Sequence, residues 1–321
     1  MTFSRILGHD RQKDILRRVL ASGRLAHAYL FSGPDGVGKR LMALALVRAV
    51  FCERGGCGDC VACRKVDHFN HPDLHLLEPD GNYIKIGQVR SIQREFSYRP
   101  LESPRKVCLI EKPEKMQTAA ANALLKTLEE PTGEALFILL SAHPEQILST
   151  IRSRCQPLPF SRIPVDLLKN DLMHRLDLDE QQGHLLAALS EGSFKKALGR
   201  DRELFLDLRR DFLKTVTALS PGSVLPLFEL SRARSDDKES LPEYLEILRA
   251  FYRDVLLTLH GRPVEDLVNI DLMEKIRRIA GKETVSSTLN KIEAIQEALH
   301  LLERNVNRQL VMDNLLLRLC V

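Results

Sequence analysis

Four cysteines fall within one short stretch, Cys52, Cys57, Cys60 and Cys63, spaced C-x4-C-x2-C-x2-C. Links this short let thiolates on a tight loop converge on one ion, and four thiolates around one centre is the arrangement of structural Zn2+ sites. Zn2+ is therefore the expected occupant, with two alternatives. The spacing of the first three cysteines also suits a plant-type iron–sulfur cluster, but that arrangement takes a distant fourth cysteine, whereas here the fourth follows immediately. A metal-free cluster is the third reading. Four protein ligands leave no open coordination position, so the expected role is structural and not catalytic. His68, His71 and His75 lie close by, but a four-thiolate site does not need them, and they are read as surface or core histidines.

A second group is the stretch Gly33-Pro34-Asp35-Gly36-Val37-Gly38-Lys39-Arg40. Glycines at 33, 36 and 38 allow backbone N–H groups to curl round phosphate oxygens, a following helix adds its positive end, and Lys39 is placed to reach terminal phosphates. The next position should offer a hydroxyl to Mg2+, and it is Arg40 instead. The acidic pair that ends a later strand in such sites, holding Mg2+ and polarising water, is here Glu111 followed by Lys112. With both catalytic positions altered, the loop is expected to hold a phosphate at most, and ATP with Mg2+ is not expected to turn over on this chain. A ligand-free strand-to-helix turn is the plainer alternative.

These residues need particular elements to hold them. Short β-rich runs at Tyr29–Phe31, Leu74–Leu77, Val107–Ile110, Leu136–Leu140 and Gln156–Phe160 alternate with helical patterns, the signature of an α/β fold with a parallel sheet. Ile15, Leu16, Val19 and Leu20 mark one helix; Ala121, Leu124, Leu125 and Leu128 mark another, ended by Pro131, with its leucines read as core. After Pro164 only helical periodicity remains. One helix is expected to start at Ser240, with Glu243 completing a capping box and Pro242 in the first turn, and to stop at Gly261. Others follow from Val285 to Leu302 and from Leu310 to Leu319.

The chain has 321 residues, 44% hydrophobic and 28% charged, which excludes a disordered polymer and suits two or three domains. Lys and Arg exceed Asp and Glu by 47 to 43, too small a margin to announce nucleic acid. With no Trp and 5 Tyr, aromatic stacking platforms for single strands are not expected. The stretch before Arg11 carries Arg5 and Asp10 and no apolar core, and the apolar run from Leu41 to Phe51 is broken by Arg48. A cytoplasmic chain with no membrane partner is expected. Basic pairs at Arg17-Arg18, Lys195-Lys196, Arg209-Arg210 and Arg277-Arg278 are read as solvated faces, some of them candidates to follow a phosphate backbone.

The loop, the cysteines and the run Ala119-Ala120-Ala121-Asn122-Ala123-Leu124-Leu125-Lys126-Thr127-Leu128-Glu129-Glu130-Pro131 together resemble the AAA+ clamp-loader family of bacterial DNA polymerase III. Ser153-Arg154-Cys155 is similar to that family's SRC motif, and Leu315-Leu316-Leu317-Arg318-Leu319 to the close of its collar domain. The resemblance spans the chain, most specifically residues 24–160. It implies an α/β AAA+ P-loop core with an inserted zinc module, followed by all-α lid and collar domains. The implied boundaries are 1–163, with the zinc module at 52–63, then 164–203 and 204–321.

Within the family the departures point to the delta-prime type. The gamma/tau motors keep Thr or Ser after the loop lysine and an Asp-Glu pair, where this chain has Arg40 and Glu111-Lys112. Gly192-Ser193-Phe194-Lys195 is similar to the sensor 2 segment, with Lys195 where the motors carry Arg, and Ser141 stands at the sensor 1 position. The implied role is a stator that helps load the sliding β clamp onto primed DNA and supplies Arg154 as an arginine finger to a neighbour's bound nucleotide. The implied partners are the gamma/tau motor and delta subunits, the β clamp indirectly, and primer–template DNA. The implied chain has no ATPase activity of its own while belonging to the polymerase holoenzyme. Two other readings are an ATP-hydrolysing motor of gamma/tau type, opposed by Arg40 and Lys112, and a zinc-dependent DNA-binding regulator, for which no recognition-helix pattern is evident.

Overall fold

The computed structural model describes residues 3–130, 134–190, 192–193, 202–217, 224–235, 240–304 and 306–320. The chain forms two compact units, one of Met1–Leu168 with Glu191–Lys196 and one of Lys169–Ser190 with Ala197–Val321.

The first unit is a five-stranded parallel sheet, β1 (Ala28–Ser32), β2 (Leu74–Leu77), β3 (Lys106–Glu111), β4 (Ala135–Ser141) and β5 (Gln156–Pro159), in the order β2-β3-β4-β1-β5. Its helices are α1 (Asp10–Ser22), α2 (Lys39–Phe51), α3 (Val61–Asp67), α4 (Ile86–Phe96), α5 (Thr118–Glu129) and the one-turn α6 (Ser149–Arg152). Alternate strand residues feed two cores. Tyr29, Phe31, Val107, Leu109, Leu136, Ile138 and Leu140 pack with Leu16 of α1 and Met42 and Leu46 of α2. Their neighbours Leu30, Cys108, Ile110, Phe137 and Leu139 pack with Val89 of α4, Leu124 and Leu128 of α5 and Ile151 of α6. Both faces of the sheet are thus covered, which is why its central strands read as nearly unbroken apolar runs. Leu124 and Leu128 are core, as their spacing implies. Pro157 and Pro159, which cannot donate to a ladder, sit in β5 at the sheet edge, where only β1 is a neighbour.

The fold class expected from the sequence, a parallel α/β core followed by helices, is the one observed among the described residues. Pro131, expected to end α5, lies outside the described residues.

In the second unit the described elements are helical: the part of α7 (Val165–Leu176) from Lys169 onward, α8 (Glu180–Leu189), α9 (Arg202–Val216), α10 (Val224–Ser235), α11 (Leu241–Leu259), α12 (Met273–Ala280), α13 (Val285–Glu303) and α14 (Arg308–Cys320). Leu245, Leu248, Phe251 and Val255 run down the buried face of α11 and meet Ile295 of α13 and Met312, Leu315 and Leu316 of α14. Gly261 closes α11 as expected: at φ +66° it turns the chain, the Gly261 N–H bonds the Thr258 carbonyl at 3.0 Å and the Arg262 N–H bonds Leu257 at 3.0 Å.

Two local expectations fail here. Ser240 does not form a capping box with Glu243. It already has helical dihedrals, φ −91° and ψ −15°, so its carbonyl and not its hydroxyl takes the Glu243 N–H, at 3.0 Å. Arg209, expected on a solvated face, is fully buried. Its guanidinium donates to both Asp271 carboxylate oxygens at 2.8 Å and to Asn269 Oδ1 at 2.6 Å, and Asn269 in turn donates to buried Asp254 at 2.6 Å. Arg17, Arg18, Arg277 and Arg278 are exposed. Lys195 and Lys196 lie outside the described residues.

Candidate functional site

The phosphate loop joins β1 to α2 at the carboxyl edge of the sheet, where open parallel sheets bind ligands. Gly33 is held at φ +145° and runs so close to the end of β5 that a Cβ there would stand 2.1 Å from the Phe160 carbonyl oxygen. Its N–H bonds the Ser141 carbonyl at 3.1 Å, tying the loop to β4. Gly36 and Gly38 also take positive φ, and Lys39 opens α2. On the other flank the His9 ring Nε2 donates to the Val37 carbonyl at 2.8 Å.

The side chains expected to meet phosphate and metal are brought together here, but they are bonded to one another. Lys39 is buried, and its Nζ donates to the Gly33 carbonyl at 2.5 Å and the Pro34 carbonyl at 2.7 Å, with Asp35 at 3.7 Å. Burial pushes its pKa down, against the pull of Asp35 and Glu114. Arg40 Nε stands 3.0 Å from Glu111 Oε1 at the end of β3, an ion pair without hydrogen-bond alignment, and its guanidinium lies 4.8 Å over the Phe69 ring. Lys112, next to Glu111, takes the left-handed conformation (φ 51°) and bonds its N–H to Leu140. Buried Ser141, at the end of β4, donates its Oγ to Glu114 at 2.7 Å and accepts the His143 N–H at 3.0 Å. Among the described residues Lys39, Arg40, Glu111 and Ser141 are thus engaged by groups of the chain itself.

The cysteine cluster is built by two helix ends. Cys52 caps the C-terminus of α2, Cys60 is the N-cap of α3 and accepts the Cys63 N–H at 3.5 Å, and the glycines between them, such as Gly58 at φ +91°, let the loop double back. All four Sγ atoms lie within 4.8 Å of one another, with Cys52–Cys57 at 3.7 Å and Cys52–Cys60 at 3.6 Å. Sulfurs at the corners of a tetrahedron of ~2.3 Å metal–sulfur bonds stand ~3.8 Å apart, so the cluster can bind a metal ion. Burial pushes the Cys52 thiol up, but the N–H groups of Cys57, Gly56 and Arg54 and the Cys60 thiol outweigh it and bring Cys52 down to about 6, while burial pushes Cys63 up to about 12. Thiols bind metal as thiolates, so ion binding drives off the protons that remain on the cluster. His68, His71 and His75 are outside the cluster. His71 is buried against Phe51, with ring centroids 4.3 Å apart.

Arg154 stands apart from both groups, in the turn between α6 and β5. Its Nη1 donates to the Thr150 carbonyl at 3.0 Å and its Nη2 pairs with Glu129 Oε1 at 2.7 Å, at the last residue of α5. Of the expected site residues, Lys195 lies outside the described residues. Phe69, Glu114 and Glu129, which hold Arg40, Ser141 and Arg154, were not anticipated. Each lies at least 25 positions from its partner, beyond the reach of any local pattern. Among the described residues no helix is long and apolar enough to cross a membrane.

A family model described as "DNA polymerase III, delta subunit" matches residues 8–164, and one described as "DNA polymerase III, delta subunit, C terminal" matches residues 203–320. The DNA polymerase III subunit delta' of Bacillus subtilis is 35% identical, over 96% of this chain and 95% of that protein. The delta' subunit of Haemophilus influenzae is 31% identical, over 84% of this chain and 83% of its own length. The tau subunit of Bacillus subtilis is 30% identical over 77% of this chain, but over only 45% of its own length.

Proposed function

The chain belongs to the DNA polymerase III delta' subunit family, and from that membership we propose that it is the stationary, non-hydrolysing subunit of a clamp loader. In this reading it joins gamma/tau motor and delta subunits, helps place the sliding β clamp on primed DNA in the cytoplasm, and extends Arg154 to the γ-phosphate held by a neighbouring motor. Positive charge delivered there stabilises the transferring phosphoryl group, work that a subunit can perform without turning over nucleotide itself. The division at 1–163, 164–203 and 204–321 into core, lid and collar belongs to the same reading, as does primer–template DNA as a partner. The cysteine cluster holds a structural Zn2+.

The observation that carries this reading is the Arg40–Glu111 pair. A guanidinium at the hydroxyl position has taken the acid that a motor needs for Mg2+, and Lys39 is engaged by the loop's own carbonyls. A motor of gamma/tau type would need both released. The test is Arg154→Ala in the reconstituted complex. Intact assembly with lowered ATP turnover is expected, and unchanged turnover rejects the finger.

A further inference from the structure

Arg154 is not free at the surface. Its guanidinium meets groups on two sides: Nη1 donates to the Thr150 carbonyl of α6 at 3.0 Å and to the Ser153 hydroxyl at 3.5 Å, and Nη2 forms an ion pair with Glu129 Oε1 at 2.7 Å, at the end of α5. Of its side chain 36% remains exposed, and that of Glu129 is 42% exposed, so the pair sits at the rim of the unit. An arginine side chain has enough torsional freedom that an unheld guanidinium spreads over many positions, and electrostatic stabilisation of a transition state depends on a charge already in place. The Thr150 carbonyl and the Ser153 hydroxyl both take Nη1, so neither holds the Nη2 end of the guanidinium. The Glu129 carboxylate, paired with that nitrogen at 2.7 Å, holds this end of the group in place by charge attraction.

We infer that Glu129 is a positioning residue for Arg154, fixing the direction and reach of its guanidinium; this rests on the arginine-finger reading. Glu129 touches no nucleotide and acts only through Arg154. Thr150 holds Arg154 from within the same turn, whereas Glu129 reaches it from the last residue of a different helix.

The experiment is steady-state ATP turnover by the complex reconstituted with gamma/tau and delta partners, using Glu129→Ala, Glu129→Gln, Arg154→Ala and the Glu129→Ala/Arg154→Ala double variant. Glu129→Ala is expected to lower kcat by about tenfold at unchanged KM for ATP, since misplacing a catalytic group by ~1 Å costs up to about 100-fold. Glu129→Gln, which keeps an acceptor, is expected to fall less, and the double variant is expected to equal Arg154→Ala alone. If Arg154→Ala lowers turnover while both Glu129 variants keep the original kcat, the positioning role is wrong and the finger stands. If Glu129→Ala raises turnover, the carboxylate restrains the finger instead, and the inference is overturned. A further drop from Glu129→Ala in the Arg154→Ala background shows that Glu129 acts elsewhere and equally overturns it. An Arg154→Ala complex with unchanged turnover removes the finger reading itself. Should Glu129→Ala not fold, Glu129→Gln carries the same comparisons.

Discussion

Arg40 and Glu111 stand 3.0 Å apart at the carboxyl edge of the sheet, one from the start of α2 and one from the end of β3. In a hydrolysing loop these two places would hold a hydroxyl and an acid sharing a Mg2+ ion, and here a protein cation has taken the metal's role toward the acid. The Phe69 ring, in the turn after α3, lies 4.8 Å from the same guanidinium and adds a cation–π contact to the pair.

The purified chain, with its metal content measured and Mg2+ supplied, is therefore expected to show no ATP hydrolysis above background. Lys39→Ala should leave that blank result unchanged. Sustained turnover that Lys39→Ala abolishes would replace the stator with a motor.

Gly33→Ala should destabilise the first unit by about 2 kcal/mol or more, because the new Cβ meets a backbone oxygen that no rotamer change can move and the φ suits glycine alone. Urea denaturation checks this. An alanine variant with an unchanged midpoint would show that the loop relaxes away from Phe160.

Cys60→Ser is expected to lower bound zinc and the melting temperature together, and a chelator should reproduce the effect in the parent protein. Because ligand thiols must lose their protons to bind, metal retention should weaken as pH falls. Full metal content with unchanged melting in the serine variant would sink the structural-zinc assignment.

Asp73 is buried and accepts the N–H groups of Leu101, Glu102 and Ser103 at 2.7, 2.8 and 2.9 Å, and the Ser103 hydroxyl at 2.9 Å. Burial pushes its carboxyl up, and these donors together outweigh that, leaving it below the usual carboxylate value. A depressed pKa means that the stabilisation is complete above the unfolded value of ~3.9 and is lost as pH falls through the folded one. Asp73→Asn should cost about 1–3 kcal/mol at pH 7, with the gap to the parent narrowing below pH ~3.9. A gap that is constant over that range would assign the loss to packing and not to charge.

Arg209→Ala in the second unit should cost about 2 kcal/mol or more, at the low end for a broken buried pair because Asp271 is a quarter exposed. Denaturant titration of the full chain reads it. A silent variant would mean that water replaces the guanidinium beside Asn269 and Asp271.

Much of the fold was legible because it depends on short-range periodicity. The five strands came from apolar runs that a sheet covered on both faces requires, and α11 from its apolar stripe and closing glycine. The Ser240 cap was misread because capping depends on the backbone dihedrals of one residue, which residue types do not dictate. The Arg209-Arg210 pair was misread because adjacency says nothing of direction: Arg209 points inward to acceptors about 60 positions along the chain, and Arg210 is exposed.

The sequence by itself determined the chemistry of each centre. It set four thiolates on one short loop, glycines before a lysine, an arginine in place of a hydroxyl, and the order of strand and helix that puts the loop at a helix N-terminus. Those are properties of residue type and near spacing, which hold in any fold containing the segment. Only the tertiary structure decided what each side chain spends its bonds on. Lys39 turns to its own loop, Arg40 to Glu111 and Phe69, Ser141 to Glu114, and Arg154 to Glu129. The last three pairings join residues at least 25 positions apart in the first unit, brought together by the packing of α2, β3, β4, α5 and the turns beside them and not by anything written within a few residues of either one.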